Sequence, residues 1–205
     1  MVRYEKGKRI TQTGNRITMS SISFISAFDT EKNIGGEYNR LIENINDDWI
    51  FIRDGDCLFL TTDYGDKIQA ILKAYGSEFD VIGATTNRLS LLNHTQRIKG
   101  IQDEDSITKH IGISKELWKK YGTKVESTTG PVAAMCMFFK RKVWEKNKFI
   151  ENSPYLDKRF CDSAINNGFK LGIAKGLYVL HLYRWEYKKD PQNHFNHLVN
   201  RYGIE

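Results

Sequence analysis

The sequence predicts an α/β domain with a mostly parallel central sheet flanked by helices. Three observations carry that expectation. Short apolar runs alternate with segments whose apolar residues recur at helical spacing through the first half of the chain. Such alternation is the pattern of parallel strands joined by crossover helices. Asp29, Asp54, Asp56 and Thr85 stand at the carboxyl ends of predicted strands, where open sheets of this kind bind ligands. The chain has 205 residues, enough for one domain with a sizeable core.

The elements follow in order. Residues 1–19 are polar and basic, with Arg9-Ile10-Thr11 and Arg16-Ile17-Thr18 on either side of Thr13-Gly14-Asn15, and read as a hairpin or a loose arm. The ordered domain is expected over 20–190, with a polar tail over 191–205. Residues 21–28 read as a buried strand ending at Asp29, and 32–36 as a loop. Tyr38, Leu41, Ile42 and Ile45 then fall at i, i+3, i+4 and i+7, one helix face, which Asp47-Asp48 ends. Trp49-Ile50-Phe51 is a second strand that runs into Arg53-Asp54-Gly55-Asp56. Ile68, Ile71, Leu72 and Tyr75 mark a helix closed by Gly76.

Residues 79–84 form a third strand, followed by Thr85-Thr86-Asn87-Arg88. Weak periodicity over 89–112 reads as a long loop, and loops of that length are more often functional than filler. A short helix is expected over 114–121, a fully buried strand over 132–139, and a helix over 161–167 ended by Gly168. Residues 177–182 give a last apolar strand that carries His181.

Composition narrows the class. Apolar residues make up 40% and charged residues 27%, the balance of an ordinary globular protein. No apolar run is long enough to span a bilayer, and no apolar segment follows the basic start as a secretory signal would require. Cys57, Cys136 and Cys161 are widely spaced and odd in number, which argues against a disulfide framework or a structural zinc site and for a cytoplasmic home. The formal charge of +6 suits a phosphate-bearing substrate. No long basic run is interleaved with aromatics, so nucleic acid is disfavoured as a partner.

Several residues carry candidate chemistry. Asp54 and Asp56 lie at i and i+2, so both carboxylates leave one face if the strand continues through them, and Gly55 allows close approach of a ligand. Two hard oxygen donors at a sheet mouth suit Mg²⁺ or Mn²⁺, and the competing reading is a tight Asp-Gly turn. Gly35-Gly36 before a helix offers backbone N–H groups to a phosphate, or is a plain helix start. His181 is a ligand or a satisfied core histidine. His194 and His197 read as surface residues. Asp162, at the start of the expected helix, is an N-terminal acid favoured by the helix dipole or a carboxylate base.

Four segments together carry a resemblance. They are Phe24–Phe28 with Lys32-Asn33-Ile34-Gly35-Gly36-Glu37-Tyr38-Asn39; Asp47 through Asp56; Thr61-Thr62-Asp63-Tyr64-Gly65 leading to Thr86-Asn87-Arg88; and Phe138-Phe139-Lys140-Arg141 with Trp144, Asp157 and Asp162 through Gly176 to Arg184. In this order they resemble the family-2-like glycosyltransferases of the GT-A fold, in a compact form found in bacteria and phages. The resemblance implies a single-domain GT-A fold and a metal-dependent enzyme. Such an enzyme moves a sugar from a nucleotide-diphosphate donor to an acceptor hydroxyl with inversion. It implies that Asp54, Asp56 and His181 hold Mn²⁺ or Mg²⁺ and that Asp162 is the catalytic base. Asp29, Asn39, Asp54 and Arg184 would bind the nucleotide-sugar.

The acceptor class, whether glycan, lipid carrier, protein or modified nucleic acid, stays open. The sequence departs from larger members between Asp29 and Asp54: those members place there a further strand and helix, including an acid that contacts the nucleotide base, and the span of about 25 residues here lacks that unit. Cys161 also stands where many relatives carry an acid. A nucleotidyltransferase on a similar sheet, and a non-catalytic sugar-nucleotide-binding protein of the same fold, are the two alternatives.

Overall fold

The computed structural model describes residues 20–31, 33–89 and 95–182. The expected arm, the expected tail and Arg184 lie outside the described residues. In chain order the elements are β1 (Ile22–Ile25), α1 (Ile34–Glu43), β2 (Trp49–Arg53), β3 (Cys57–Phe59), α2 (Tyr64–Tyr75), β4 (Val81–Thr86), α3 (Ile107–Tyr121), β5 (Val125–Thr128), β6 (Cys136–Lys140), α4 (Arg141–Lys146), α5 (Leu156–Asn166) and β7 (Leu171–His181).

All seven strands join one sheet in the order β1-β2-β6-β4-β7-β3, with β5 also paired to β7. β1, β2, β4 and β7 run one way, and β3, β5 and β6 run the other. The sheet is therefore mixed, which corrects the expectation of a mostly parallel one. The cause lies largely in β6, which is buried along Cys136–Phe139 in the middle of the sheet. A strand covered on both faces is apolar throughout, and such a run carries no mark of its direction.

Side-chain alternation splits the core into two layers. Ile50, Ile52, Met137, Phe139 and Val81 face α1, α4 and α5. Trp49, Phe51, Phe138 and Ile82 face α2 and, through Trp118, α3. Helices thus cover both faces, as expected.

The sheet also curls. β2 and β3 are four strand spacings apart in the order, which on a flat sheet is about 19 Å. Arg53 and Cys57, which end β2 and begin β3, are four residues apart and can be separated by at most about 14 Å. β3 must therefore bend back over β2, and the Phe51 and Phe59 rings meet with centroids 5.9 Å apart. This curl brings the ends of β2 and β7 together.

Other elements differ from the sequence reading in extent. β1 is a short edge strand, only partly buried, and Phe28 beyond it is 82% exposed. α3 starts at Ile107, capped by Ser106 Oγ accepting from the Lys109 N–H, where a loop was expected. α5 starts at Leu156, five residues before the expected helix. β7 has 11 residues, nearly double the expected strand, and its register against β4 slips after Ala84, so that Thr85 pairs with Tyr178.

Candidate functional site

The carboxyl ends of β1, β2, β4 and β7 share one rim, together with the starts of β6 and β3. Asp54-Gly55-Asp56 crosses that rim as a tight turn rather than as a continued strand. The Cys57 N–H donates to the Asp54 carbonyl at 3.2 Å, and the Asp54 N–H donates to the Met135 carbonyl at 3.0 Å. The turn reading of this tripeptide is realised. Asp54 lies near α1, where burial and then the charge of Asp54 raise the Tyr38 hydroxyl well above its usual range. Asp56 lies by the end of β7.

There the Asp56 Oδ1 is 3.3 Å from His181 Nε2. His181 is buried, and its Nδ1 lies 3.0 Å from the Arg88 carbonyl oxygen. A carbonyl can only accept, so Nδ1 carries the proton. In the neutral ring Nε2 then presents a lone pair to a carboxylate, and two acceptors at this distance require a proton or a cation between them. A histidine whose second nitrogen donates to a backbone carbonyl is the usual form of a metal ligand. The Asp56 side chain is 45% exposed, so an ion reaches it from solvent. Burial acts to raise the Asp56 carboxyl, but with the proton between them the charged His181 ring outweighs this and holds it below its usual range. These residues fit a divalent cation.

The structure adds a residue that the motif reading left out. Among the described residues, one ligand atom each from Asp56, Cys57 and His181 lie within 4.8 Å of one another. Asp54 is not in that cluster. Cys57 is the cross-strand partner of His181, a relation visible only once β3 is seen to pair with β7.

Asp29 follows β1 and accepts the backbone N–H groups of Glu31 and Asn33, both at 2.9 Å, so it shapes the loop into α1. Gly35 and Gly36 lie inside the first turn of α1, and the Gly36 N–H is taken by Asn33 Oδ1 at 3.0 Å. The plain helix start is what these glycines form. Asn39 is buried, donating to the Phe149 carbonyl at 2.9 Å and accepting from Trp144 Nε1 at 2.9 Å and the Phe149 N–H at 3.0 Å. It ties α1 to the segment after α4 and turns its polar groups inward.

The two acids of α5 differ sharply. Asp162 has a side chain 42% exposed and pairs with Lys158 one turn earlier at 2.5 Å. Asp157, in the first turn, receives the Lys158 N–H at 2.7 Å. Burial raises the Asp157 carboxyl above its usual range. A raised carboxyl is the environment of a general acid or base.

No family model and no curated protein matches the sequence. Among solved structures, the chain is similar to a mycobacterial protein, with 11% identity and a TM-score of 0.45 over 83% of this chain and 52% of that one. The chain spans about half the length of that protein.

Proposed function

We propose that the protein is a metal-dependent glycosyltransferase of the GT-A type that takes a nucleotide-diphosphate sugar and glycosylates a hydroxyl acceptor. The observation that carries this reading is the Asp56–His181 pair, 3.3 Å apart at the rim, with the second histidine nitrogen facing a backbone carbonyl. In this reading Asp56 and His181 hold Mn²⁺ or Mg²⁺, and Asp54 supports the ribose from the other side of the turn. When bound, the cation supplies positive charge that neutralises the departing diphosphate.

The remaining roles belong to side chains. Asp157 takes the proton of the acceptor hydroxyl as its oxygen attacks the anomeric carbon, which gives inversion. We assign this role to Asp157 rather than Asp162, because burial raises the Asp157 carboxyl whereas Asp162 is an exposed partner of Lys158. Asp29 orders the loop beside the nucleotide base. Arg184, which lies outside the described residues, is the candidate diphosphate contact that the resemblance implies.

The test is calorimetric titration of a panel of nucleotide-sugars and nucleoside diphosphates, with and without Mn²⁺, on the wild type and Asp56→Ala. Metal-dependent binding of one donor, lost in the variant, is expected. Equal donor affinity in both proteins would remove the site.

A further inference from the structure

We infer that Cys57 is a third ligand of the cation site and makes it thiophilic, so that it takes Zn²⁺ or Cd²⁺ in preference to Mg²⁺. The inference rests on the metal reading of Asp56 and His181 and extends it to the identity of the ion.

The placement of Cys57 follows from the topology. It is directly opposite His181 in the antiparallel β3–β7 ladder, and facing residues of such a ladder project to the same side. It also follows Asp56 in the chain, so the turn that presents the carboxylate presents the thiol. The three ligand atoms lie within 4.8 Å of one another. Ligands around a tetrahedral zinc, with Zn–S near 2.3 Å and Zn–N near 2.0 Å, stand about 3.6 Å apart. Drawing the ligand atoms to that spacing takes a movement of roughly 1 Å among them. The Cys57 thiol donates to the Met135 thioether at 3.8 Å, a weak bond that metal binding would replace.

The donor chemistry separates the metals. A carboxylate and water suffice for Mg²⁺, which demands oxygen ligands. An imidazole, a carboxylate and a thiolate form a mixed set that favours Zn²⁺ and its softer analogue Cd²⁺. Three protein ligands also leave a fourth position open to a diphosphate oxygen or water. On binding, the Cys57 S–H bond breaks, its proton passes to the buffer, and the sulfur electron pair forms the metal–sulfur bond.

The experiment titrates Cd²⁺, Zn²⁺ and Mn²⁺ separately into wild type, Cys57→Ala and Asp56→Ala, each verified as folded by circular dichroism. Cys57→Ala keeps an apolar side chain at a buried position. Cys57→Ser, which is close to isosteric, is the second variant should the alanine fail to fold. Wild type is expected to give a sulfur-to-cadmium charge-transfer absorption that saturates at equimolar metal and vanishes in the Cys57 variant. Zinc affinity should fall about tenfold or more in that variant while Mn²⁺ affinity changes little. An unchanged zinc affinity, or a charge-transfer band that survives loss of Cys57, would overturn the inference. If Mn²⁺ binding still depended on Asp56, the proposed function would stand without it. Loss of all metal binding in the wild type would overturn both.

Discussion

Asn87 fixes the backbone of His181: its Oδ1 accepts the His181 N–H at 2.9 Å, and the carbonyl of the next residue, Arg88, faces His181 Nδ1 at 3.0 Å. Two consecutive residues at the end of β4 therefore set both the position and the ring orientation of the histidine. Outer contacts of this kind are worth about 10–100-fold in metal affinity. Asn87→Ala should weaken Mn²⁺ binding by about that factor and cost about 1–3 kcal/mol of stability. Asn87→Asp, which keeps the acceptor oxygen, should recover much of the metal affinity. Electron paramagnetic resonance of Mn²⁺ and urea unfolding measure the two effects. Equal Mn²⁺ affinity in a folded alanine variant would deny Asn87 this role.

The two acids of α5 make a paired prediction. Asp157→Asn should lower turnover about 10²–10⁴-fold while leaving donor binding intact. Asp162→Asn removes only an exposed i,i+4 ion pair, worth about 0.3–0.5 kcal/mol, and should leave turnover near that of wild type. Steady-state kinetics on the donor found by calorimetry distinguish them, and the reverse outcome would return the base to Asp162.

Asp80 predicts acid sensitivity at the opposite end of the sheet. Its carboxylate meets Lys140 Nζ at 2.9 Å, Lys142 Nζ at 3.2 Å and the Lys170 N–H at 3.1 Å. Burial opposes its charge, but these donors outweigh burial and hold the carboxyl below its usual range. A depressed folded value stabilises the fold above the unfolded pKa of about 3.9, and that contribution is lost as pH falls through the folded value. Wild type should therefore lose more stability than Asp80→Asn between about pH 5 and about pH 2. Parallel pH-dependent unfolding curves for the two proteins would show that Asp80 does not contribute.

Gly35 is where α1 touches the segment after α4. A Cβ placed there would lie 2.0 Å from the Ile150 carbonyl oxygen. Gly35→Ala must shift α1 or that segment and should cost about 1–3 kcal/mol. The shift would move Tyr38, and with it the surroundings of Asp54. Thermal unfolding checks the cost, and an unchanged midpoint would mean that the contact is easily relieved.

Much of this architecture was legible in the sequence where a single element carried enough pattern. Trp49–Arg53 and Tyr64–Tyr75 were readable because one is a compact apolar run and the other repeats on one helix face. β3 and β5 were not, since each has three or four residues and leaves Leu58 or Glu126 exposed, so neither shows an apolar period. Their existence depends on β7, more than 40 residues further along the chain. Asp56 and His181 were read as partners through the resemblance, and the structure brings their side chains together. Cys57 carries no such mark in the sequence, because its relation to His181 is a matter of register. The sequence reading puts Asp162 at the start of a helix expected over 161–167, and α5 begins earlier. With Leu156 as the first helical residue, Asp157 is the first-turn acid, and Asp162 falls a turn and a half later.

The length and position of β7 bear on how the chain folds during synthesis. It contacts β4 on one side and both β3 and β5 on the other, yet it is the last described element to leave the ribosome. Until it emerges, β4 has an open edge and β3 has no partner, with Phe59, Ile82 and Ala84 lacking their cover. Contacts closed over such sequence separations form slowly, and unpaired strand edges are prone to aggregate. The nascent chain should thus depend on shielding through most of its translation, and His181, the final residue of β7, completes the sheet and the candidate metal pair in one step.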